Sequence, residues 1–449
     1  MSDPLSFINQ IVWGAPALLL ILGVGLYFTF RLGVVQLRLL PASLKVLFRK
    51  LRPGKKDGSF RALCTALGAT VGTGNLVGVA GAICLGGPGA VFWMWICGIL
   101  GMVTKYVEAV LAVRYRVKAE NGFLGGPMYV IREGLGRRYL SLSKLYCLFG
   151  IVAAFGVGNA AQINAVITGM EIVSRSAFGT VPRLLAPAAG LVLAVFLGML
   201  LLGGAERIAA AAELVVPLAA AGYILLCLGI LIPNVRKLPW AVSAIVSGAF
   251  SPKAVTGGAL GSAFRALRIG CSRGVFTNEA GMGTAAIAHG SAEVSHPAEQ
   301  GLMGIVEVFL DTIVICTLTA LVILVSGIPI PYGVDAGAEL TLAAFSGTYG
   351  SVAEILLTGM LTAFAIATVL GWSYYGGCCA RFLFGGRVWK TFAWAQTGFA
   401  FLSSMLDTAA VWQFSETVNG LMVIPNLLAL VLLSGEVVRL TDEFRSRTG

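Results

Sequence analysis

The chain has 449 residues, 57% apolar and only 12% charged, with a mean hydropathy of +0.87. A soluble domain carries about 25% charged residues, so this composition excludes one and specifies an all-α polytopic membrane protein seated in a lipid bilayer. The net charge of +11 follows membrane orientation along the chain, as shown below, and excludes a nucleic-acid partner.

Taken in chain order, apolar runs between polar breaks predict about eleven spanning helices. They lie at roughly 8–30, 62–86, 88–113, 145–174, 183–203, 207–232, 257–290, 299–327, 351–379, 389–407 and 411–435. The first run, Ile11 to Phe30, lacks a basic n-region and an A-x-A site, so it reads as an anchor rather than a cleavable signal. Loop 31–62 holds nine Lys/Arg, from Arg31 to Arg61, which makes it cytoplasmic. Alternation puts 114–144, 380–388 and the C-terminus on the same side and the N-terminus outside. The nine cysteines show no zinc or redox spacing and read as small packing residues.

With the first span set aside, two sets of five remain. The chain then divides into 1–61 (N-terminal helix and basic loop), 62–232 and 257–435 (two five-helix repeats) and 436–449 (cytoplasmic tail). Five spans each insert the sets in opposite orientations, an inverted repeat argued from counting alone. Each set opens on a glycine-interrupted segment, the pattern that points to a transporter binding site.

The first of these contains GATVGTGN, residues 68–75. A break near 70–74 leaves a half-helix starting at about Gly74, whose N–H groups and dipole suit a carboxylate. The freed carbonyls of Gly68 and Val71 suit a hard cation such as Na+. Asn75 offers a side-chain oxygen or NH2, and glycine at 72 and 74 lets a ligand approach the backbone. Small-residue helix packing of the GxxxG kind explains the same glycines equally well.

TALGATVGTGNLVGVAGAI, LGGPGAVFWMW, GMVTKYVEAVLAVRYR and GGPMYVIREGLG, with GVFTNEAGMGTAAIAHG (274–290) and DTIVICTLTALVI (311–323), resemble the alanine or glycine:cation symporter family. The likeness runs in order from about residue 60 to the eleventh span. It implies sodium-coupled uptake of small neutral amino acids across a prokaryotic cell membrane, with Na+ as coupling ion, on a fold like the leucine-transporter inverted repeat. It further implies that the amides of Thr73, Gly74 and Asn75 receive the substrate carboxylate. The second break then falls within 270–278, exposing backbone around Ser272 and Gly274, and Phe276 closes over the substrate unless it is ordinary packing.

In the fourth span, Asn159 and Gln162 share a helical face and suit a small zwitterion, with helix–helix hydrogen bonding the alternative. Asn164 is rotated away from that face. In the ninth, the Thr368 hydroxyl and Ala365 carbonyl complete a cation site with Gly68 and Val71, and Trp372 walls the pocket. Among ionisable groups within spans, Lys105 and Glu108 pair or snorkel. Glu307 and Asp311 find counter-ions among Arg265, Arg268 and Arg273 or relay protons, and Glu279 pairs with Arg273. His289 and His296 receive no role. With two histidines outside the predicted core and no HExxH, a membrane enzyme is excluded, and no repeated pore loops or charged rings suggest a channel. The expected protein is a symporter able to work as a monomer, with proton coupling through Asp311 or Glu307 as the other reading.

Overall fold

The computed structural model describes residues 14–52, 57–119, 122–251, 263–334, 336–406 and 417–448. Parts of four predicted spans (8–13, 257–262, 407 and 411–416) lie outside the described residues. What is described is almost wholly helical, apart from one short hairpin, β1 (Val117–Ala119) with β2 (Gly122–Leu124).

The N-terminal part holds α1 (Ala15–Arg31) and α2 (Leu40–Lys50). Next, α3 (Gly58–Thr70) starts where Asp57 accepts a hydrogen bond from the Phe60 N–H at 3.0 Å, an ordinary N-cap. A π turn, Gly74–Gly78, leads into α4 (Val79–Gly86), bent by 53° from α3. There follow α5 (Gly89–Arg114), α6 (Leu140–Phe155), a π turn at Gly156–Ala160, α7 (Ala161–Phe178), α8 (Leu185–Leu201), α9 (Gly204–Leu231) and α10 (Leu238–Phe250). The second half has α11 (Ala263–Asn278), α12 (Thr284–His289), α13 (Pro297–Val308), a π segment at Phe309–Cys316 and α14 (Thr317–Ser326). It ends with α15 (Gly337–Tyr349), α16 (Val352–Phe384), α17 (Val388–Ser403), α18 (Val423–Leu432) and α19 (Ser434–Thr448).

Among the described residues, five helical runs are long and apolar enough to cross a membrane alone. These are α5, α6–α7, α9, α13–α14 and α16. Two bent pairs qualify when joined, α3–α4 and the 417–447 pair. Others fall where spans are predicted but run to only 16 or 17 residues, such as α1, α8 and α17. Part of the difference from eleven is that several predicted spans are divided into shorter helices or extend beyond the described residues. Two helices lie in predicted connections, α10 and α15, each 13 residues and too short to register as spans. The expected tail, 436–449, lies largely in α19, which Glu436 ties to Arg114 of α5 at 2.6 Å.

The centre of the bundle is α5. Within its apolar window 83% of residues are buried, against 33% in α9, so α5 is enclosed by protein while α9 faces outward. Enclosure demands close approach, and small residues supply it. A Cβ on Gly270 of α11 would lie 2.2 Å from the Ala90 carbonyl oxygen, and one on Gly304 of α13 2.8 Å from that of Lys105. Helices α11 and α13 therefore seat directly on the α5 backbone, which brings the charges of α5 to the second broken segment.

Candidate functional site

Both glycine-interrupted segments are broken. The first break lies at 71–73, where Val71 turns extended (φ −75°, ψ 105°) after α3. The Asn75 side chain bridges it by accepting the Gly72 N–H at 2.8 Å. The Asn75 N–H itself donates to the Gly72 carbonyl at 3.2 Å, so this amide, expected to meet a substrate, already has a partner.

The second break lies at 279–283, not at 270–278. Helix α11 continues regularly through Ser272 and Gly274 to Asn278. The glycines of that stretch serve packing instead: a Cβ on Gly274 would lie 3.1 Å from Cys97 Cβ of α5. Left-handed backbone ends the helix, with Glu279 at φ +53°, Gly281 at +93° and Gly283 at +76°. The half-helix that follows, α12, has six residues. Ser272 and Gly274 therefore expose no backbone to a ligand.

Around the first break the expected residues converge in part. A Cβ on Gly72 would lie 2.9 Å from Thr368 Oγ1 and 3.5 Å from Gln162 Oε1, and one on Gly74 2.9 Å from the Thr277 methyl and 3.6 Å from the Phe276 ring. The Thr368 hydroxyl donates to the Gly68 carbonyl at 3.0 Å. Gln162 donates to the Val157 carbonyl at 3.1 Å, but its Oε1 is buried without a hydrogen-bond partner, as is Thr73 Oγ1. A buried amide oxygen left unpaired costs about 1–3 kcal/mol, so both atoms are predisposed to a ligand. Val71 and Ala365 are buried nearby in the chain, Ala365 one turn before Thr368 on α16.

Two other expected residues are tied to protein partners. The Asn159 NH2 donates to the Gln396 backbone carbonyl at 2.9 Å and to its side-chain oxygen at 2.5 Å, so it ties the Gly156–Ala160 turn to α17. The Trp372 indole N–H donates to Glu279 Oε1 at 3.0 Å.

Sequence reasoning missed most of the charged network. Lys105, Glu108, Glu279, His289, Glu307 and Asp311 are each 2% exposed or less. Lys105 does not pair with Glu108. Its ammonium lies 3.1 Å from Glu307 Oε1, and His289 Nε2 lies 2.8 Å from Glu307 Oε2. The Gln300 amide lies 2.7 Å from His289 Nδ1, so a histidine given no role proves central. Glu108 Oε1 instead accepts the Gly281 and Gly283 N–H groups at 2.9 and 3.1 Å and the Asn426 NH2 at 2.7 Å. Glu279 is held by the Trp372 indole and by the Thr284 hydroxyl, at 2.5 Å to Oε2.

Asp311 accepts from Asn75 Nδ2 at 2.7 Å through Oδ1 and from Thr312 Oγ1 at 2.8 Å through Oδ2. Thr312 Oγ1 accepts from Asn278 Nδ2 at 3.2 Å, and Asn278 Oδ1 accepts the Ala280 N–H at 2.9 Å. A continuous hydrogen-bonded chain thus runs from one break to the other. The available signal was the spacing: Lys105 and Glu108, like Glu307 and Asp311, fall on one face of their helices.

A cavity of about 510 Å3 opens at one end of the bundle, lined among others by Arg61, Thr65, Phe123, Tyr374 and Arg381. Thr65 lies three residues before Gly68, about 4.5 Å of helix from it.

Residues 1–448 match the model of the sodium:alanine symporter family. The chain belongs to that family. It is 42% identical over 445 residues to the sodium/alanine symporter AgcS of Methanococcus maripaludis, covering 97% of this chain and 96% of that one. It is 38% identical over 439 residues to the probable sodium/glutamine symporter GlnT of Bacillus subtilis, covering 95% and 87%. The crystal structure of MhsT in complex with L-phenylalanine superposes with a TM-score of 0.61 at 12% identity, over 83% of this chain and 88% of that one. That likeness shows a shared fold, of the leucine-transporter type. As a sodium:alanine symporter family member with several apolar spanning helices, the chain is a multi-pass membrane transporter, and its relatives are transporters too.

Breaking the buried ion pair has a measurable cost. Glu307→Leu leaves Lys105 without its counter-charge and His289 without its acceptor, and should destabilise the purified protein by about 3–5 kcal/mol. Adding Lys105→Met should recover much of that loss in thermal unfolding. A double variant as unstable as the single one counts against the pairing.

Proposed function

We propose that this protein is a sodium-coupled symporter that imports small neutral amino acids, alanine or glycine, by alternating access. The observation that carries this reading is the meeting of Gln162 Oε1 and Thr368 Oγ1 at Gly72, beside a broken helix, with an unpaired buried oxygen facing a glycine. The substrate carboxylate meets the amides of Thr73 and Gly74, its ammonium meets Gln162 Oε1, and Phe276 and Trp372 wall the side chain. Asn75, fully engaged with Gly72 and Asp311, shapes the break from behind.

Na+ takes oxygen ligands, and the carbonyls of Gly68, Val71 and Ala365 with the Thr368 hydroxyl form such a set. Thr368 Oγ1 already lies 3.0 Å from the Gly68 carbonyl. To ligate Na+ the hydroxyl turns its lone pair to the ion and gives up that bond, which the ion replaces. The cavity borders the segments whose basic residues favour the cytoplasm, so it is the release route of an inward-open state. The N-terminus then lies outside, the spans number eleven in a 5+5 inverted repeat, and one chain is the working unit.

One observation supports proton coupling as a second reading. Among the described residues, the carboxylates of Glu108, Glu279, Glu307 and Asp311 lie in the interior around Lys105 and His289, and bare buried anions are expensive. Proteoliposomes with separately imposed Na+ and H+ gradients separate the two. Uptake of labelled alanine driven by Na+ at equal pH, and absent with a proton gradient alone, is the expected result. The converse sinks sodium coupling.

If Thr368 supplies a ligand oxygen, Thr368→Ala should raise the Na+ concentration for half-maximal uptake by about tenfold or more, the loss of one hydrogen-bond-sized contact. Thr368→Ser, which keeps the hydroxyl, should stay near wild type. Equal sodium dependence in all three overturns the assignment.

The first break offers a sharper test. A methyl at Gly72 enters the space between Thr368 and Gln162, so Gly72→Ala should abolish alanine binding in protein that remains monodisperse. Alaninamide should compete poorly against alanine in the wild type, because a site built for a missing carboxylate rejects the analogue by up to about 10⁴-fold. Wild-type alanine affinity in purified Gly72→Ala would mean that these glycines only pack helices.

A further inference from the structure

The carboxylate of Glu279 has an unexpected assignment. It sits inside the second break, where peptide groups need partners, yet it serves none of those N–H groups. Glu108 takes the amides of Gly281 and Gly283, and Asn278 takes that of Ala280. Glu279 reaches sideways instead, to the indole N–H of Trp372 on α16 at 3.0 Å. It does so from a left-handed backbone at φ +53°, which costs a glutamate energy that its neighbours Gly281 and Gly283 do not spend. Thr284 Oγ1 fixes the other carboxylate oxygen at 2.5 Å, so the acceptor cannot swing away.

Trp372 is held at both ends. At its base, a Cβ on Gly158 would lie 2.2 Å from Trp372 Cβ, so the backbone of the π turn presses on the root of the side chain. Its ring meets Tyr375 edge-on with centroids 5.8 Å apart. At its tip, the indole N–H is fully buried and needs an acceptor, and Glu279 is that acceptor. The root fixes where the ring starts and the tip fixes where it points.

We propose that Glu279 is a specificity-determining residue that sets the upper size of the transported side chain by fixing the orientation of Trp372. The inference rests on Trp372 walling the substrate pocket. Glu279 acts through Trp372 and touches no substrate, so it is a positioning residue. It also links the break of the second half to α16, which share this one carboxylate.

The experiment is a competition series of leucine and methionine against labelled alanine on purified, monodisperse protein. Trp372→Ala should lower the preference for alanine over leucine by about tenfold or more, the scale on which an apolar pocket discriminates added methylenes. Glu279→Ala should lower it comparably, while Glu279→Gln, which keeps an oxygen acceptor of the same reach, should restore the wild-type ratio. Should Glu279→Ala fail to fold, 3-benzothienylalanine at position 372 keeps the ring shape, lacks the N–H and should relax the ratio in the same way. If Trp372→Ala widens selectivity but Glu279→Ala and the thienyl analogue both keep the wild-type ratio, the role given to Glu279 is wrong and the pocket reading stands. If Trp372→Ala itself leaves the ratio unchanged, Trp372 is no pocket wall and both fall. Loss of yield in Glu279→Ala with an unaltered ratio means a purely structural carboxylate and also overturns the proposal.

Discussion

Peptide groups released inside a membrane have no water to bond, so a helix that breaks there must borrow partners from the protein around it. The arrangement of this molecule follows from that constraint at two places. At 71–73 the partner is Asn75, itself anchored on Asp311; at 279–283 the partners are Asn278 and Glu108. Asp311 and its neighbour Thr312 belong to both, since one faces Asn75 and the other Asn278. The π segment between α13 and α14 is therefore a strut that keeps the two breaks in register. The two breaks are joined through four side chains, Asn75, Asp311, Thr312 and Asn278.

The same economy explains why the charges gather on α5 and α13. A lone buried charge is costly, whereas one that is paired or hydrogen-bonded also orients its neighbours. Glu108 accepts three N–H groups through one oxygen, gathering the second break and α18 against α5. Lys105, one turn earlier, draws Glu307 toward α5, and Glu307 in turn holds α12 through His289. Adjacent turns of one enclosed helix thus secure the loop and the half-helix that follows it.

Much of this was readable from the residues, for physical reasons. In GATVGTGN three glycines lie within seven residues and no charged packing partner competes for them, so the break falls inside the stretch. Gln162 stands out because an amide within an apolar run is expensive unless paired, whereas Phe276 came from the resemblance. The second break was misplaced because glycine serves two purposes that sequence does not separate. Gly270 and Gly274 admit the α5 backbone, whereas Gly281 and Gly283 supply left-handed turns. Ion-pair partners were misassigned because spacing along one helix reveals which charges share a face but not which helix lies opposite. Lys105 stands three residues from Glu108, yet α13 is what packs against it. Helices α10 and α15 escaped notice because thirteen apolar residues cannot span.

All nine cysteines are free thiols and all nine are buried. Their burial has a practical consequence for watching this protein move. A cysteine introduced on an exposed loop becomes the most accessible thiol, so a bulky probe can be attached there with the native ones in place. Among the native thiols, Cys378 alone borders the large cavity and is 6% exposed, so small reagents entering there meet it first. Its alkylation rate is a built-in clock for how often that cavity is open.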